Sequence, residues 1–64
     1  MKVKDLKQGD FFTKKAIADP KDSQVWIRGA YDRSQKKYEC QSFDDANRFC
    51  YLAGTKEVFT DFVF

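Results

Sequence analysis

Histidine is absent from this 64-residue sequence, which has only one proline, two cysteines and three glycines. The lack of histidine excludes a conventional nucleophile–base triad. Two cysteines cannot by themselves assemble the four Cys or His ligands of a structural zinc site. The scattered glycines form no phosphate-binding motif. We therefore expect a protein that is not an enzyme and that needs no metal or cofactor.

Aliphatic side chains are also scarce: four Val, two Ile and two Leu stand against seven Phe, three Tyr and one Trp. Ordinary domains are richer in Leu than in any aromatic residue. A chain of this length hides only about 60% of its unfolded surface when it folds. We therefore expect a single domain over residues 1–64, with a small core that relies on aromatic rings.

Charge of one sign is not in excess, because 12 Lys and Arg stand against 10 Asp and Glu, for a formal net charge of +2. The longest basic runs are Lys14-Lys15 and Lys36-Lys37, so charge permits nucleic-acid binding without arguing for it. The N-terminus lacks the apolar segment of a signal peptide. No apolar run approaches the roughly 18 residues of a membrane span. We expect a cytoplasmic protein without a membrane partner.

Apolar residues alternate with a period of two between short turn signals, which is typical of β-strands. Residues 18–23 contain the single proline and form the clearest loop. A capping-box pattern after the third strand predicts at most one helical turn, within residues 44–48. The alternation predicts five strands, at Phe11–Ile17, Val25–Tyr31, Lys37–Phe43, Phe49–Leu52 and Glu57–Phe64.

Five short strands without a long helical pattern predict an all-β fold. An open sheet of such strands leaves exposed edges, which closure of the sheet removes. We therefore expect a small five-stranded SH3-like barrel, with an OB-like barrel as the alternative.

Strand pairing sorts the side chains onto two faces, because successive residues of a strand point to opposite sides. We pair Tyr31 with Tyr38 across the hairpin, and Cys40 with Cys50 in the next strand pair. One face is apolar and is the predicted core, completed by the terminal segments: Val25, Ile27, Gly29, Tyr31, Tyr38, Cys40, Cys50 and Leu52, with Val3, Leu6, one of Phe11 and Phe12, Val58 and Phe62. The other face mixes aromatic, basic and polar side chains: Trp26, Arg28, Ala30, Glu39, Gln41, Phe43, Phe49 and Tyr51.

Two explanations of this aromatic second face stay open. In the first it is structural: the terminal strand covers it, and cross-strand aromatic pairs such as Trp26 with Phe43 stabilise the sheet. In the second it binds a partner. Aromatic rings with an interleaved arginine suit stacking on single-stranded nucleic acid, and the same residue types dominate protein interfaces. A register slip of one residue near Asp45 would instead move Phe49 and Tyr51 into the core.

The sequence therefore predicts a binding module. The first hypothesis is a nucleic-acid-associated accessory protein, and the alternative is a protein-interaction or self-associating module that uses the same face. The candidate binding residues are Trp26, Arg28, Phe43, Phe49 and Tyr51. A nucleic-acid partner would add a basic rim of Lys14, Lys37 and Arg48.

The stretch MKVKDLKQGDFF resembles the opening of many small bacterial β-barrel proteins, in which L-K-x-G-D leads into the first long strand. The run VWIRGAYDRSQKKYECQSFDD and the ending G-x-K-E-V-F-T-D-F together resemble short uncharacterised proteins of gut bacteria and their phages. The shared features are a turn glycine, a hairpin and a closing aromatic strand. The resemblance implies a stand-alone accessory protein and carries no functional residues with it.

Overall fold

The computed structural model describes residues 1–62, and these residues form an all-β domain, as the sequence predicts. Two short 3₁₀ turns, Val3–Asp5 and Asp22–Gln24, precede the first and second strands. A single antiparallel sheet has its strands in chain order: β1 (Phe11–Thr13), β2 (Val25–Asp32), β3 (Lys37–Ser42) and β4 (Phe49–Leu52).

The strand bounds agree with the prediction in the middle of the chain and differ at its ends. The bounds of β4 match, and those of β2 and β3 differ by one residue. The first strand ends at Thr13 instead of Ile17, because the chain bends at Lys14-Lys15.

The helical turn expected within residues 44–48 is wrong, since bends and a tight turn stand there. The Asp45 carboxylate accepts a hydrogen bond from the Asn47 N–H at 3.0 Å. The Asp45 carbonyl accepts another from the Arg48 N–H, also at 3.0 Å. Local side-chain bonding of this kind competes with helix formation, and here it turns the chain back into β4.

The predicted fifth strand is represented in the described residues by two isolated bridges. Glu57 bridges to Lys2, and Phe59 bridges to Thr13 at the free edge of β1. Thr13 and Phe59 exchange two backbone hydrogen bonds, of 2.8 and 3.0 Å. The last two residues of the predicted strand, Val63-Phe64, lie outside the described residues.

A β-bulge interrupts the pairing of β2 with β3. Tyr31 opposes Tyr38, as predicted, but Arg28 takes the place opposite Cys40 that the sequence analysis gave to Gly29. One extra residue of β2 therefore stands between these two pairs. From the bulge to the start of β2, the predicted register is off by one residue, so each β2 side chain there points to the opposite face.

Glycine at the bulge is required by the close approach of the two strands. A Cβ atom on Gly29 would lie 2.5 Å from the carbonyl oxygen of Glu39. Such a separation is far inside van der Waals contact, so a side chain here would force the backbones apart. The bulge thus depends on one residue, and that residue decides which side of β2 becomes core.

The core lies on one side of the sheet, beneath the N- and C-terminal segments. We call this side the inner face; its strand residues are Phe12, Trp26, Arg28, Tyr38, Cys40, Ser42, Cys50 and Leu52. The terminal segments add three buried side chains, Val3, Leu6 and Val58. We call the opposite side the outer face; its residues are Phe11, Ile27, Glu39, Gln41, Phe43, Phe49 and Tyr51.

The predicted core is confirmed in part, at Val3, Leu6, Phe12, Cys40 and Val58, which are buried in the core cluster. Val25 is buried as predicted, but its pairing with Thr13 places it on the same side of β2 as Ile27, outside that cluster. Ile27 is half-buried on the outer face, because the bulge reverses its direction. Tyr31 is 47% exposed, since it lies at the hairpin end of the sheet, beyond the core cluster. Phe62 is half-buried. Within residues 1–62, no helix has the length and apolar character needed to cross a membrane.

Candidate interaction surfaces

Trp26 is a core residue with 7% of its surface exposed, so its predicted place on the exposed face is wrong. It stands opposite Phe12 in β1 and Ser42 in β3, both of which are buried on the inner face. The cause is the bulge, which moves the pairing partner of Trp26 from Phe43 to Ser42. Trp26 supplies volume that the few aliphatic side chains of this chain cannot.

Two predicted rim residues, Lys14 and Arg48, lie against the indole of Trp26. The Lys14 Nζ is 4.0 Å from the ring centroid, and the Arg48 Cζ is 5.3 Å from it. Arg48 also donates from Nη2 to the Ser23 carbonyl at 3.4 Å. Both separations allow cation–π attraction. The structure therefore brings Lys14 and Arg48 together at the end of the sheet where β2 begins.

Lys37, the third predicted rim residue, is not part of this group. It pairs with Asp32 at the hairpin end of β2 and β3. A strand rises by roughly 20 Å over the six residues from Trp26 to Asp32. The basic rim predicted from the sequence is therefore divided between opposite ends of the sheet.

Arg28 lies on the inner face, and its predicted place beside Gln41 on the exposed face is wrong for the same reason as that of Trp26. Its guanidinium carbon is 4.2 Å from the ring centroid of Tyr38. Its Nε atom is buried and has no hydrogen-bond partner within the described residues. The backbone of Arg28 is held on the other side, where its N–H donates to the Asp10 carbonyl at 2.9 Å. Its planar cation packs on Tyr38, and the residue as a whole is half-buried.

Three of the predicted binding residues, Phe43, Phe49 and Tyr51, lie on the outer face, as predicted. Phe43 is 41% exposed and Phe49 is 52% exposed, while Tyr51 is half-buried. Two further residues of this face, Phe11 and Ile27, stand opposite each other in β1 and β2. The prediction left open which of Phe11 and Phe12 is core, and it wrongly assigned Ile27 to the core. A glycine inside a predicted strand is the one signal that could have indicated the shift.

The aromatic rings of the outer face pack edge to face. Phe11 and Phe43 have centroids 5.5 Å apart with planes at 75°, and Phe49 and Tyr51 have centroids 6.4 Å apart with planes at 89°. Edge-to-face packing of this kind is favourable because the positive ring edge meets the negative ring face. It also leaves part of each ring turned to solvent, so the outer face presents aromatic surface.

Polar groups on the outer face are few. Gln41 stands at its centre, opposite Ile27 in β2 and opposite Phe49 in β4. Glu39, opposite Tyr51, is the single charged residue in the outer-face set defined above. An aromatic surface with a central amide and one acidic group suits protein contact better than contact with phosphates.

Cys40 and Cys50 stand directly opposite each other, as predicted, and both are free thiols. Burial, and to a lesser extent the neighbouring Cys50, raise the pKa of Cys40 to about 11. The Cys40 Sγ lies 3.7 Å from the Tyr38 carbonyl, to which it donates. A thiol that stays protonated at neutral pH is a weak nucleophile. Cys40 therefore acts as a small core residue.

The carboxylates in the turns accept hydrogen bonds from neighbouring residues and so stabilise the turns. Asp32 accepts hydrogen bonds from the N–H and hydroxyl of Ser34, at 2.9 and 2.7 Å, and these bonds lower the pKa of Asp32. Asp44 accepts one from the Ser42 hydroxyl at 2.8 Å. No group of three or more metal-ligating side chains occurs within residues 1–62.

Comparison of the chain with protein-family models, with curated proteins and with solved structures finds no match. The surfaces of the chain itself therefore carry the functional inference. Two of them stand out: the outer face of the sheet, and the cationic group around Trp26.

Proposed function

We propose that this protein is a non-enzymatic interaction module that binds a protein partner through the outer face of its sheet. The observation that carries the proposal is Phe49, which is 52% exposed and packs edge to face against Tyr51 on an edge strand. Exposed aromatic surface on a small soluble fold is typical of interaction sites. Phe and Tyr are enriched at the centres of protein interfaces.

The charge of the outer face supports a protein partner over a nucleic acid. Nucleic-acid binding depends on Lys and Arg that neutralise phosphates, whereas Glu39 is the charged member of this face. Three of the four candidate cations pack on rings of the inner face, since Lys14 and Arg48 lie against Trp26 and Arg28 lies against Tyr38. The fourth, Lys37, lies at the hairpin end of β2 and β3. The proposed partner surface is therefore apolar or weakly basic.

The raised pKa of Cys40 supports a role without covalent catalysis. A nucleophilic cysteine needs a thiolate near neutral pH, usually stabilised by a nearby cation or a helix N-terminus. Cys40 is fully buried, and its pKa lies at about 11.

Selection of peptides from a random library on the immobilised protein tests the outer face. We expect hydrophobic peptides to be enriched, and Phe49→Ser to weaken their binding by at least about tenfold, the loss typical of a central aromatic contact. Tyr31→Ser is the matched control, because Tyr31 is 47% exposed at the hairpin end and packs against Tyr38. Equal losses in the two variants, or no loss in Phe49→Ser, would contradict the proposal.

A second candidate, binding of single-stranded nucleic acid, is favoured by the cations around Trp26. Lys14, Lys15 and Trp26 line a cleft of about 190 Å³, together with Ile17 and Gln24. A base could stack on the indole if Lys14 moved aside to pair with a phosphate. The cleft beside Trp26 and the two cations on its ring, Lys14 and Arg48, are the observations that support this candidate.

Fluorescence anisotropy of a labelled single-stranded oligonucleotide at low salt tests the second candidate. We expect the doubly substituted Lys14→Ala, Arg48→Ala variant to lose binding, and affinity to fall steeply with added salt. The doubly substituted Arg33→Ala, Lys37→Ala variant is the matched control, because it also removes one Arg and one Lys, at the opposite end of the sheet. Absence of binding by the unaltered protein at low ionic strength would exclude this function.

We further propose that the sheet curls into a five-stranded SH3-like arrangement, with an OB-like barrel as the alternative. The support is the pair of bridges that place Phe59 beside Thr13 and Glu57 beside Lys2, because they continue the sheet beyond β1. Hydrogen exchange tests the proposal: the N–H groups of Thr13 and Phe59 should exchange as slowly as those of β2. Fast exchange at both positions would contradict it.

A further inference from the structure

The free edge of β4 differs from the free edge of β1. The bridge to Phe59 covers β1 at Thr13. Within residues 1–62, the N-terminal segment pairs with the residues that follow β4 but not with β4 itself. Its contact nearest to β4 is the hydrogen bond from the Lys4 N–H to the Gly54 carbonyl, at 3.1 Å. No backbone hydrogen bond joins β4 to any described segment other than β3. As far as residues 1–62 are concerned, one whole side of β4 is therefore open for pairing with another strand.

The ladder indicates which backbone groups of β4 face this open side. The Ser42 N–H donates to the Arg48 carbonyl at 2.8 Å, so the residues of β3 and β4 at this position form a hydrogen-bonded pair. Hydrogen-bonded and non-hydrogen-bonded pairs alternate along an antiparallel ladder. Cys50 therefore points its N–H and C=O towards β3, whereas Phe49 and Tyr51 point theirs outward.

The residues of β4 carry none of the features that usually prevent edge pairing. Natural edge strands are protected by charged side chains, by proline or by bulges. β4 reads Phe-Cys-Tyr-Leu, without a charge or a proline, and its register against β3 is regular. Its protection is limited to its length of four residues.

A second copy of β4 fits this edge in one register better than in any other. A two-fold axis perpendicular to the sheet keeps the outer faces of both copies on the same side. Residues that oppose each other across the axis must therefore have their side chains on the same face. With the axis at Cys50, Phe49 of each copy opposes Tyr51 of the other, and each of these pairs exchanges both of its N–H···O bonds. An axis at Tyr51 would leave Phe49 opposite Ala53, and an axis at Phe49 would leave Tyr51 opposite Asn47; both of these partners lie outside the strand.

The charges next to β4 also agree with this register. Arg48 of one copy opposes Leu52 of the other, and Asn47 opposes Ala53, so no like charges meet across the axis. The Phe49–Tyr51 edge contact of each copy would be joined to its symmetric equivalent, in a continuous aromatic row on the shared outer face. The register that pairs the backbone N–H and C=O groups of β4 therefore also places compatible side chains opposite each other.

We propose that β4 pairs antiparallel with β4 of a second copy of this chain, about a two-fold axis at Cys50, so that the two four-stranded sheets join into one continuous sheet in the dimer. This rests on the proposed function, since it names a second copy as the partner that Phe49 and Tyr51 meet at the edge of the outer face. The two Cys50 residues form a non-hydrogen-bonded pair, whose Cα atoms lie about 4.5 Å apart. That separation lies within the range of a disulfide.

Measurement of molar mass by light scattering over a wide concentration range tests the dimer. We expect the unaltered protein to approach twice the monomer mass, and Phe49→Lys to raise the dimer dissociation constant by at least about tenfold, because it places a charge in the pairing strand. Tyr31→Lys is the matched control: it also replaces an exposed aromatic ring with the same charge, but in β2, inside the sheet and away from the pairing edge. Its dissociation constant should change by less than about threefold.

Phe49→Pro provides a second variant if Phe49→Lys fails to fold. Phe49 is the first residue of β4, and its N–H points outward, so proline there removes a donor of the dimer and no bond to β3. Circular dichroism should show the fold retained while the dimer is lost.

Mild oxidation with copper–phenanthroline tests the register. In the Cys40→Ala variant, Cys50 is the remaining thiol, and two Cys50 thiols should give up two protons and two electrons to the oxidant as they form one intermolecular disulfide. A protein that stays monomeric at the highest concentrations overturns the inference. So does a dimer that Phe49→Lys leaves intact or that oxidation does not link. A monomer that still binds selected peptides through Phe49 would overturn the dimer and leave the proposed function standing.

Discussion

The inner and outer faces of the sheet both carry aromatic rings, but they place them in different surroundings. On the inner face Trp26 packs beneath Lys14 and Arg48 and is 7% exposed. On the outer face Phe49 packs edge to face with Tyr51 and remains 52% exposed. The same class of side chain thus fills a core that is short of aliphatic residues and also forms a surface. The direction in which each strand residue points decides between the two.

The largest difference between the faces should appear when one ring is removed from each. Phe12, on the inner face, is fully buried, so Phe12→Ala should lower the free energy of unfolding by about 3–5 kcal/mol. Phe49→Ala should lower it by less than about 1 kcal/mol, since the ring is half in water already. Urea unfolding followed by Trp26 fluorescence measures both. Losses of equal size would mean that the two faces are equally core-like.

Removal of the bulge should disturb both faces at once, because Gly29 sets which way the start of β2 points. In Gly29→Ala the new methyl group meets the Glu39 carbonyl at 2.5 Å, and such overpacking costs about 1–3 kcal/mol. Gly54→Ala is the matched control, because its Cβ would meet the Tyr38 ring at 3.1 Å, where a side chain can adjust. Thermal unfolding of the two variants should rank Gly29→Ala as clearly less stable. The reverse ranking would contradict the hypothesis that the bulge at Gly29 decides which side of β2 faces the core.

The same bulge explains why the sequence predicts some of the fold and not the rest. The hairpin and β4 are predictable because turn residues bound them and because β3 and β4 pair without interruption. In β2, by contrast, Val25, Trp26 and Ile27 are all apolar, so alternation does not show which of them faces the core. A glycine in the strand indicates a bulge. Only the approach of Gly29 to Glu39, a tertiary contact, fixes its position.

The candidate site divides along the same line. Phe43, Phe49 and Tyr51 could be placed on the outer face because they follow the regular pairing of Cys40 with Cys50. Trp26 and Arg28 could not, because their positions lie on the far side of the bulge from the correctly predicted pair at Tyr31. The choice between Phe11 and Phe12 stayed open, since the partner of β1 is the displaced part of β2. One local irregularity thus exchanged two members of the predicted face for two others.

The inner face should also respond to alkaline pH through Cys40. The thiol has a pKa of about 11 in the folded protein against 9.0 for an unperturbed cysteine. Between these values the unfolded chain releases the proton while the folded chain keeps it, so the unfolded state binds fewer protons. The contribution of Cys40 to the free energy of unfolding should therefore be constant below pH 9. It should fall as pH rises above 9, by at most about 1.4 kcal/mol per pH unit.

The contribution of Cys40 can be separated from other alkaline titrations by substitution. Cys40→Ala should flatten the fall in stability between pH 9 and 11, whereas Cys50→Ala should preserve most of it, because burial is the larger cause of the raised pKa of Cys40. Urea unfolding at a series of pH values provides the measurement. An identical slope in all three proteins would show that the Cys40 thiol ionises in the folded state as readily as in the unfolded one.

The smallest expected effect concerns the cations that cover the inner face at Trp26. Lys14→Ala should lower stability by about 0.5–1 kcal/mol, the usual size of a partly exposed cation–π contact, and should increase quenching of Trp26 fluorescence by acrylamide. Lys14→Met keeps an apolar stem over the indole and removes the charge. It should therefore retain the protection of Trp26 while losing the same stability. If Lys14→Met instead keeps full stability, the apolar stem and not the charge covers the ring, and Trp26 belongs to the core on packing alone.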